Sequence, residues 1–361
     1  MPELLRDHTS FRLGGPARVW IEAVTEQQII DTVRDADDRG EPLLVLSGGS
    51  NLLVADEGFP GTVLKIATRG VRAEGSFCEF DADAAVAAPL GAGAAACGGF
   101  TLTVAAGEVW DDFVASTVAD ELVGVEALSG IPGLVGSTPI QNVGAYGQEV
   151  SQTIWNVRTY DRRSRAVKTF ANVDCGFGYR HSRFKAEPGR YVVLEVTFQL
   201  QQGSLSAPIR FGELARRLGV EGGQRAPLTL VRDTVLALRR AKGMVSDPAD
   251  HDTWSAGSFF TNPILDADVA ARLPEDAPRF PQPDGRVKSS AAWLIEHAGF
   301  ARGFGNERAS LSTKHSLALT NRGGASAADV VALARTVRDG VRARFGVTLV
   351  PEPLLVGLRL D

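Results

Sequence analysis

Between Thr25 and Arg39 the apolar residues Ile29, Ile30, Val33 and Ala36 recur at helical spacing, with Thr25 and Gln28 in the positions of a capping box and Gly40 behind. This predicts an amphipathic helix. The run LLVL at 43–46 reads as a strand that leads into SGGSN at 47–51, and TVLKI at 62–66 reads as a second strand after a turn at GFPG. Residues 82–99 are nearly all alanine and glycine and read as a surface insertion. A helix is predicted from Trp110 to Leu122, then a glycine-rich passage at 124–147 and a hairpin that turns near Asp161–Ser164. At 191–200, Val192, Leu194, Val196, Phe198 and Leu200 alternate with Tyr191, Val193, Glu195, Thr197 and Gln199, the period of a strand with one strongly buried face. Residues 201–226 are polar and read as a second insertion with a short helix at Glu213–Leu218. A helix near Thr229–Arg240, a loop at 246–257 and a long helix at 327–345 follow. The long helix is capped by Ser326 with Asp329 three residues on, and its stripe is Val330, Ala334, Val337, Val341 and Phe345. No internal repeat is evident.

Length changes this picture only by multiplying it: 361 residues at 44% hydrophobic composition support two or three globular domains. A net charge of −5, from 38 basic and 43 acidic residues well interspersed, provides no basic stripe for nucleic acid. The three cysteines, Cys78, Cys97 and Cys175, are too scattered for a disulfide framework or a CxxC metal or redox pair. A reducing cytoplasm fits that usage; MPELLRDHTSF has no apolar run after a basic start and no stretch of about eighteen apolar residues occurs, so neither secretion nor a membrane span is expected. No metal site is expected.

Candidate chemistry lies in the glycine-rich segments. In SGGSN (Ser47, Gly48, Gly49, Ser50, Asn51) glycine permits positive φ and close backbone approach, so successive N–H groups can surround a pyrophosphate; a tight turn between strands would look the same. SGIPGLVGSTPIQNVGAYGQ at 129–148 interleaves Ser137, Thr138, Gln141, Asn142 and Tyr146 with Gly136, Gly144 and Gly147, a polar lining suited to a flat heteroaromatic ring. GAGAAA at 91–96 matches the dinucleotide fingerprint only weakly, with no confident strand before it. GFGYRHSRFK at 176–185 sets Arg180 and Lys185 beside aromatic residues. SAGSFFTNP at 255–263 seats the Ser258 hydroxyl against two phenylalanines, and VPEPLLVG at 350–357 holds Glu352 stiffly between two prolines.

Taken in order, HTSFRLGGPA, LSGGSNLLVAD, GIPGLVGSTPIQNVGAYGQE, FGYRHSRFK, AGSFFTNP, KHSLALTN and VPEPLLVG resemble the UDP-N-acetylenolpyruvoylglucosamine reductases over nearly the whole chain. The resemblance implies an α+β fold: a two-subdomain FAD-binding region of the vanillyl-alcohol-oxidase (PCMH-type) class plus a C-terminal α+β substrate domain. It implies a first FAD-binding subdomain at 1–69 joined by 347–361, a second at 70–243 with a substrate lid near 202–226, and a substrate domain at 244–346. NADPH would reduce non-covalently bound FAD, and the enolpyruvyl ether of UDP-N-acetylglucosamine would then be reduced to UDP-N-acetylmuramate for peptidoglycan. By the same resemblance Arg180 and Glu352 stabilise the carbanionic intermediate and Ser258 protonates it. FAD would be held by Ser47, Gly48, Gly49, Ser50, Asn51, Gly136, Ser137, Thr138, Gln141, Asn142, Gly144 and Ala145, and the nucleotide sugar by Lys242, Asn262, His315 and Phe211. Two departures stand out: Phe211 where longer relatives carry a lid tyrosine, and Leu354 where some carry an arginine. In addition, the first glycine loop ends in Asn51 and carries no histidine of the kind that links flavin covalently in some oxidases of the same fold. The expected partners are NADPH and the UDP-sugar, with no membrane or nucleic acid, and a monomer is expected. Rival readings are an oxidase of an alcohol or sugar on the same fold and a non-catalytic nucleotide-sugar binder.

Overall fold

The computed structural model describes residues 2–74 and 99–361. Most of the alanine-glycine insertion, with GAGAAA, Cys78 and Cys97, lies outside the described residues. The chain divides into two compact units. One comprises Met1–Trp20, Gly48–Val63 and Arg239–Asp361; the other comprises Ile21–Ser47 and Leu64–Leu238. This grouping joins 1–20 and 48–63 to the C-terminal third rather than to the rest of 1–69.

The second unit is built on a sheet whose strands run in the order Ala166–Ala171, Ile154–Asp161, Tyr191–Gln202, Gly99–Ala105, Val71–Glu74, all neighbours antiparallel. The hairpin turns where the sequence predicts. Tyr191–Gln202 is central, so Val193 and Thr197 on its second face are buried too, and the Thr197 hydroxyl pairs with that of Thr103 at 3.0 Å. The helix beginning at Trp110 stops at Ala119, short of the expected Leu122. Glu121 takes a left-handed φ of 55°, and Leu122–Val123 instead pair with the end of the central strand. Trp110, Phe113 and Phe198 form the aromatic centre of this core, and the Trp110 indole donates to the Leu128 carbonyl at 3.1 Å. The helix Glu26–Asp38 has the expected capping box and buries Ile29, Ile30, Val33 and Ala36. The strand read as 62–66 starts earlier, at Phe59, and lies between Ala17–Ala23 and Leu43–Leu46. The polar insertion carries a helix at Gly212–Leu218, and Ile209, Leu214, Ala215 and Ala226 pack with Val231, Val235 and Leu238 in a small core of their own.

In the first unit the helices Ala291–His297 and Ala327–Phe345 pack with Phe11, Leu13, Leu53, Phe259 and Phe260. Val330, Ala334, Val337 and Val341 are fully buried, while Phe345 is only partly covered. The long helix begins at a complete capping box of Ser326 and Asp329. Ser326→Ala is therefore expected to cost about 1 kcal/mol, readable as a lower denaturant midpoint. A parallel pair absent from the sequence reading closes this unit: Leu354–Val356 lies beside Leu52–Val54, in register Leu354 to Leu52. The last residues thus return to the N-terminal part, as the resemblance implies.

Candidate functional site

In the second unit, Gly136 N donates to the Ala106 carbonyl at 2.9 Å, and a Cβ there would stand 2.5 Å from the Ala106 methyl, so only glycine fits. The Ser137 and Thr138 hydroxyls turn back onto the carbonyls of Leu134 and Val135 at 2.7 and 2.8 Å, within and just after a short 3₁₀ turn at Val135–Ser137. Gly144–Ala145 pairs with Gln148–Glu149 through a two-residue turn in which Tyr146 and Gly147 have φ of 50° and 86°, the signs of a type I′ hairpin. Asn142 is buried. Its amide donates to Glu149 and to the Gly178 carbonyl and accepts from Ser151 N, so its side chain braces the fold. Gln141 is half-buried.

Arg180 meets this segment directly, its Nη2 donating to the Gly144 carbonyl at 2.8 Å. It also has a φ of 51°, a conformation rarely adopted by a residue with a side chain and concentrated at functional sites. A Gly178–His181 bridge makes the tight turn that carries it, and Ser182 caps the helix that follows. Phe211 stands at the N-cap of the insertion helix, 40% exposed, with its ring edge-on to Tyr146 at 5.4 Å.

In the first unit, Gly49 has φ of 62°, and a Cβ on it would overlap the His8 carbonyl oxygen at 1.8 Å; its own carbonyl accepts from Ser10 N. HTSF thus braces the glycine loop. Ser258 forms an antiparallel bridge with Ala318, and the next residue, Phe259, donates to the Leu317 carbonyl and accepts from Glu352 N, each at 2.8 Å. AGSFFTNP, KHSLALTN and VPEPLLVG are therefore neighbouring extended segments, and Ser258 and Glu352 are brought to one region of this unit. Asn51 belongs there as well: its carbonyl accepts from Leu354 N at 3.0 Å and its amide donates to the Glu352 carbonyl at 3.4 Å. The Asn262 side chain accepts from Ala291 N at 2.9 Å, so it fixes the start of helix Ala291–His297.

Lys242 follows the helix Leu228–Ala241 and is half-buried. Burial, reinforced by the charges of Lys242 and Arg302, pushes the His315 imidazole down to about 4, with Glu296 opposing and Arg239 adding to the effect. His315 is thus neutral at physiological pH. Because its folded-state value lies below the unfolded value of about 6.5, the unfolded chain binds the proton first and stability falls as pH drops through the interval between the two. His315→Gln is expected to reduce the loss of denaturant midpoint between pH 7.5 and pH 4.5. A pH profile identical to the parent's would refute the burial of a neutral ring.

The loop before His315 depends on a residue missing from the sequence reading. Asp252, nearly fully buried, accepts from Thr313 N, the Thr313 hydroxyl and Arg322 Nη1, joining the turn that precedes Ser258 to the turn that presents His315. Nothing in the polar stretch 246–257 distinguishes this aspartate from its neighbours, since its partners are distant in sequence.

The residues present suit a dinucleotide. In the second unit the Ser47 hydroxyl is shielded from solvent with no hydrogen-bond partner among the described residues, an orphan that a phosphate oxygen would satisfy. Among the described residues no group of three His, Cys, Asp or Glu side chains could hold a metal ion, and no helix is long and apolar enough to cross a membrane.

A family model described as "FAD binding domain" matches residues 17–169, and one described as "UDP-N-acetylenolpyruvoylglucosamine reductase, C-terminal domain" matches 247–356. Together they define an FAD-dependent oxidoreductase built from a flavin-binding part and a second α+β part. The UDP-N-acetylenolpyruvoylglucosamine reductase of Cutibacterium acnes is 58% identical over 352 residues, covering 97% of this chain and 88% of that one. That of Streptomyces coelicolor is 56% identical over 363 residues, covering 98% and 88%. The chain belongs to the UDP-N-acetylenolpyruvoylglucosamine reductase family. The crystal structure of the Thermus caldophilus reductase matches in fold with a TM-score of 0.64 at 24% identity, over 99% of this chain and 98% of that one.

Proposed function

We propose that the protein reduces UDP-N-acetylglucosamine enolpyruvate to UDP-N-acetylmuramate, with non-covalently bound FAD as cofactor and NADPH as reductant, as a cytoplasmic monomer in peptidoglycan precursor synthesis. The observation that carries this reading is the joining of AGSFFTNP to VPEPLLVG through the Glu352–Phe259 backbone bond, in a chain with full-length relatives of that name. FAD, when bound and reduced, supplies a hydride to the vinyl carbon of the substrate. What this chain does is manage the charge and the proton. Arg180 offers a two-pronged donor to the substrate carboxylate. Glu352 shares the charge that develops beside it, and the Ser258 hydroxyl gives its proton to the α-carbon, completing the addition of one hydride and one proton across the double bond. Lys242, Asn262 and His315 serve the diphosphate and sugar. Phe211 covers the nucleotide by stacking, without the hydrogen bond a tyrosine would add. Ser47–Asn51 and the 136–145 segment hold FAD. Asn51, with no histidine in its loop, supports non-covalent attachment.

The test is the visible spectrum of the purified protein together with NADPH oxidation in the presence and absence of the enolpyruvyl nucleotide. A yellow protein with substrate-dependent oxidation is the expected result. A colourless protein, or NADPH consumption indifferent to the nucleotide, would refute the reading.

A further inference from the structure

We propose that Lys65, with the Ser47 hydroxyl beside it, is the cationic contact for the phosphate groups of the dinucleotide, an assignment that rests on FAD occupying the 47–51 loop. Lys65 interrupts the apolar run of strand Phe59–Ile66, between Leu64 and Ile66, which are essentially fully buried. An aliphatic residue would be cheaper at that position, because a partly desolvated ammonium loses hydration that only an anion or several acceptors restore. Its Nζ donates to the Ser47 carbonyl at 2.6 Å, which accounts for one of its three N–H groups and fixes the ammonium at the first residue of the glycine loop. Lys65 forms no ion pair among the described residues: Glu22 supports its charge only from a distance, and Arg69 opposes it. Burial outweighs both and lowers the lysine from its ordinary value, so the ammonium is held at a cost that its contacts among the described residues offset only in part.

The second observation is independent of the first. The Ser47 hydroxyl is sealed from solvent with no hydrogen-bond partner among the described residues, and a buried orphan of this kind calls for a missing acceptor or donor. A hydroxyl and an ammonium on adjoining strands, both with unused donors at the opening of a glycine loop, suit phosphate oxygens, which accept from both. An apolar ring or a neutral sugar would leave the ammonium uncompensated.

The experiment is flavin titration of apoprotein, followed by flavin fluorescence, for the parent, Lys65→Met, Lys65→Arg and Ser47→Ala, with FAD and with riboflavin, which lacks phosphate. Lys65→Met is expected to weaken FAD binding by a factor of ten or more and to flatten its dependence on salt. Lys65→Arg should stay within a few-fold of the parent, Ser47→Ala should fall between, and riboflavin affinity should not change. FAD affinity equal to the parent's in Lys65→Met, or Lys65→Arg as weak as Lys65→Met, would overturn the assignment, since a lysine that only fastens the Ser47 carbonyl has no need to be matched in charge by its replacement. A parent apoprotein that takes up no flavin would overturn both the assignment and the cofactor reading beneath it.

Discussion

Ser258→Ala is expected to lower substrate-dependent turnover by about 10²–10⁴-fold, the span set by the loss of a positioned proton donor, while NADPH still bleaches the flavin at the parent's rate. The two half-reactions separate because protonation of the α-carbon belongs only to the second. The substitution is also clean. The segment that holds Ser258 is kept by main-chain bonds, from Phe259 N to Leu317 O and from Glu352 N to Phe259 O, and none of them uses the serine hydroxyl. Stopped-flow traces of flavin reduction and reoxidation are the measurement. Slow reoxidation with normal reduction supports the role, and reoxidation at the parent's rate would transfer proton delivery to water or another side chain.

Asp161→Asn is expected to destabilise the second unit. The carboxylate is fully buried at the hairpin turn, where it accepts from Arg190 Nε and Nη2, Lys168 Nζ, the Ser164 hydroxyl and Arg163 N. Removing the charge leaves the Arg190 and Lys168 cations, both partly open to water, facing a neutral amide, a loss on the order of 2–3 kcal/mol for charge-assisted hydrogen bonds to a buried carboxylate. In a chain of this size that corresponds to a fall in melting temperature of about 3–4 °C. The hydrogen bond from Arg190, followed by those from Lys168 and Ser164, holds this carboxyl well below the usual carboxylate range against the opposing effect of burial. A carboxyl with a depressed folded-state value contributes its full stabilisation above the unfolded value of about 3.9 and loses it as pH falls toward the folded value. The gap in melting temperature between parent and variant should therefore be widest near pH 7 and narrow progressively as pH falls below about 4. A gap that persists unchanged at low pH would mean that packing, not the ion pairs, holds the turn.

Elements whose stability is local were legible in the sequence. The helices Glu26–Asp38 and Ala327–Phe345 carry their own capping boxes and stripes, and the Asp161–Ser164 turn sits between two alternating runs. Short elements defined by distant partners were not: Leu52–Val54 and Leu354–Val356 are three residues each and exist as strands because they pair with one another. For the same reason the helix from Trp110 was read too long, since the pairing of Leu122–Val123 with Gln201–Gln202 claims residues whose apolar character suits either state. The site divides along the same line. Ser258, Glu352 and Arg180 stood out by motif, whereas Asp252, Asp161 and Lys65 gained significance only from burial, and a charged letter looks the same in a sequence whether water surrounds it or not.

The pairing of Leu52 with Leu354 also sets an order of events during synthesis. The first of these strands leaves the ribosome with its hydrogen-bonding edge open and waits for almost the whole remaining chain before its partner exists. Contacts of such sequence separation form slowly, and an open edge meanwhile invites pairing with other chains. A nascent chain stalled before residue 350 would hold the glycine loop and Ser258 yet lack both the closing strand and Glu352, so the acidic residue of the proposed chemistry and the seam that completes its unit arrive in the same stretch of translation.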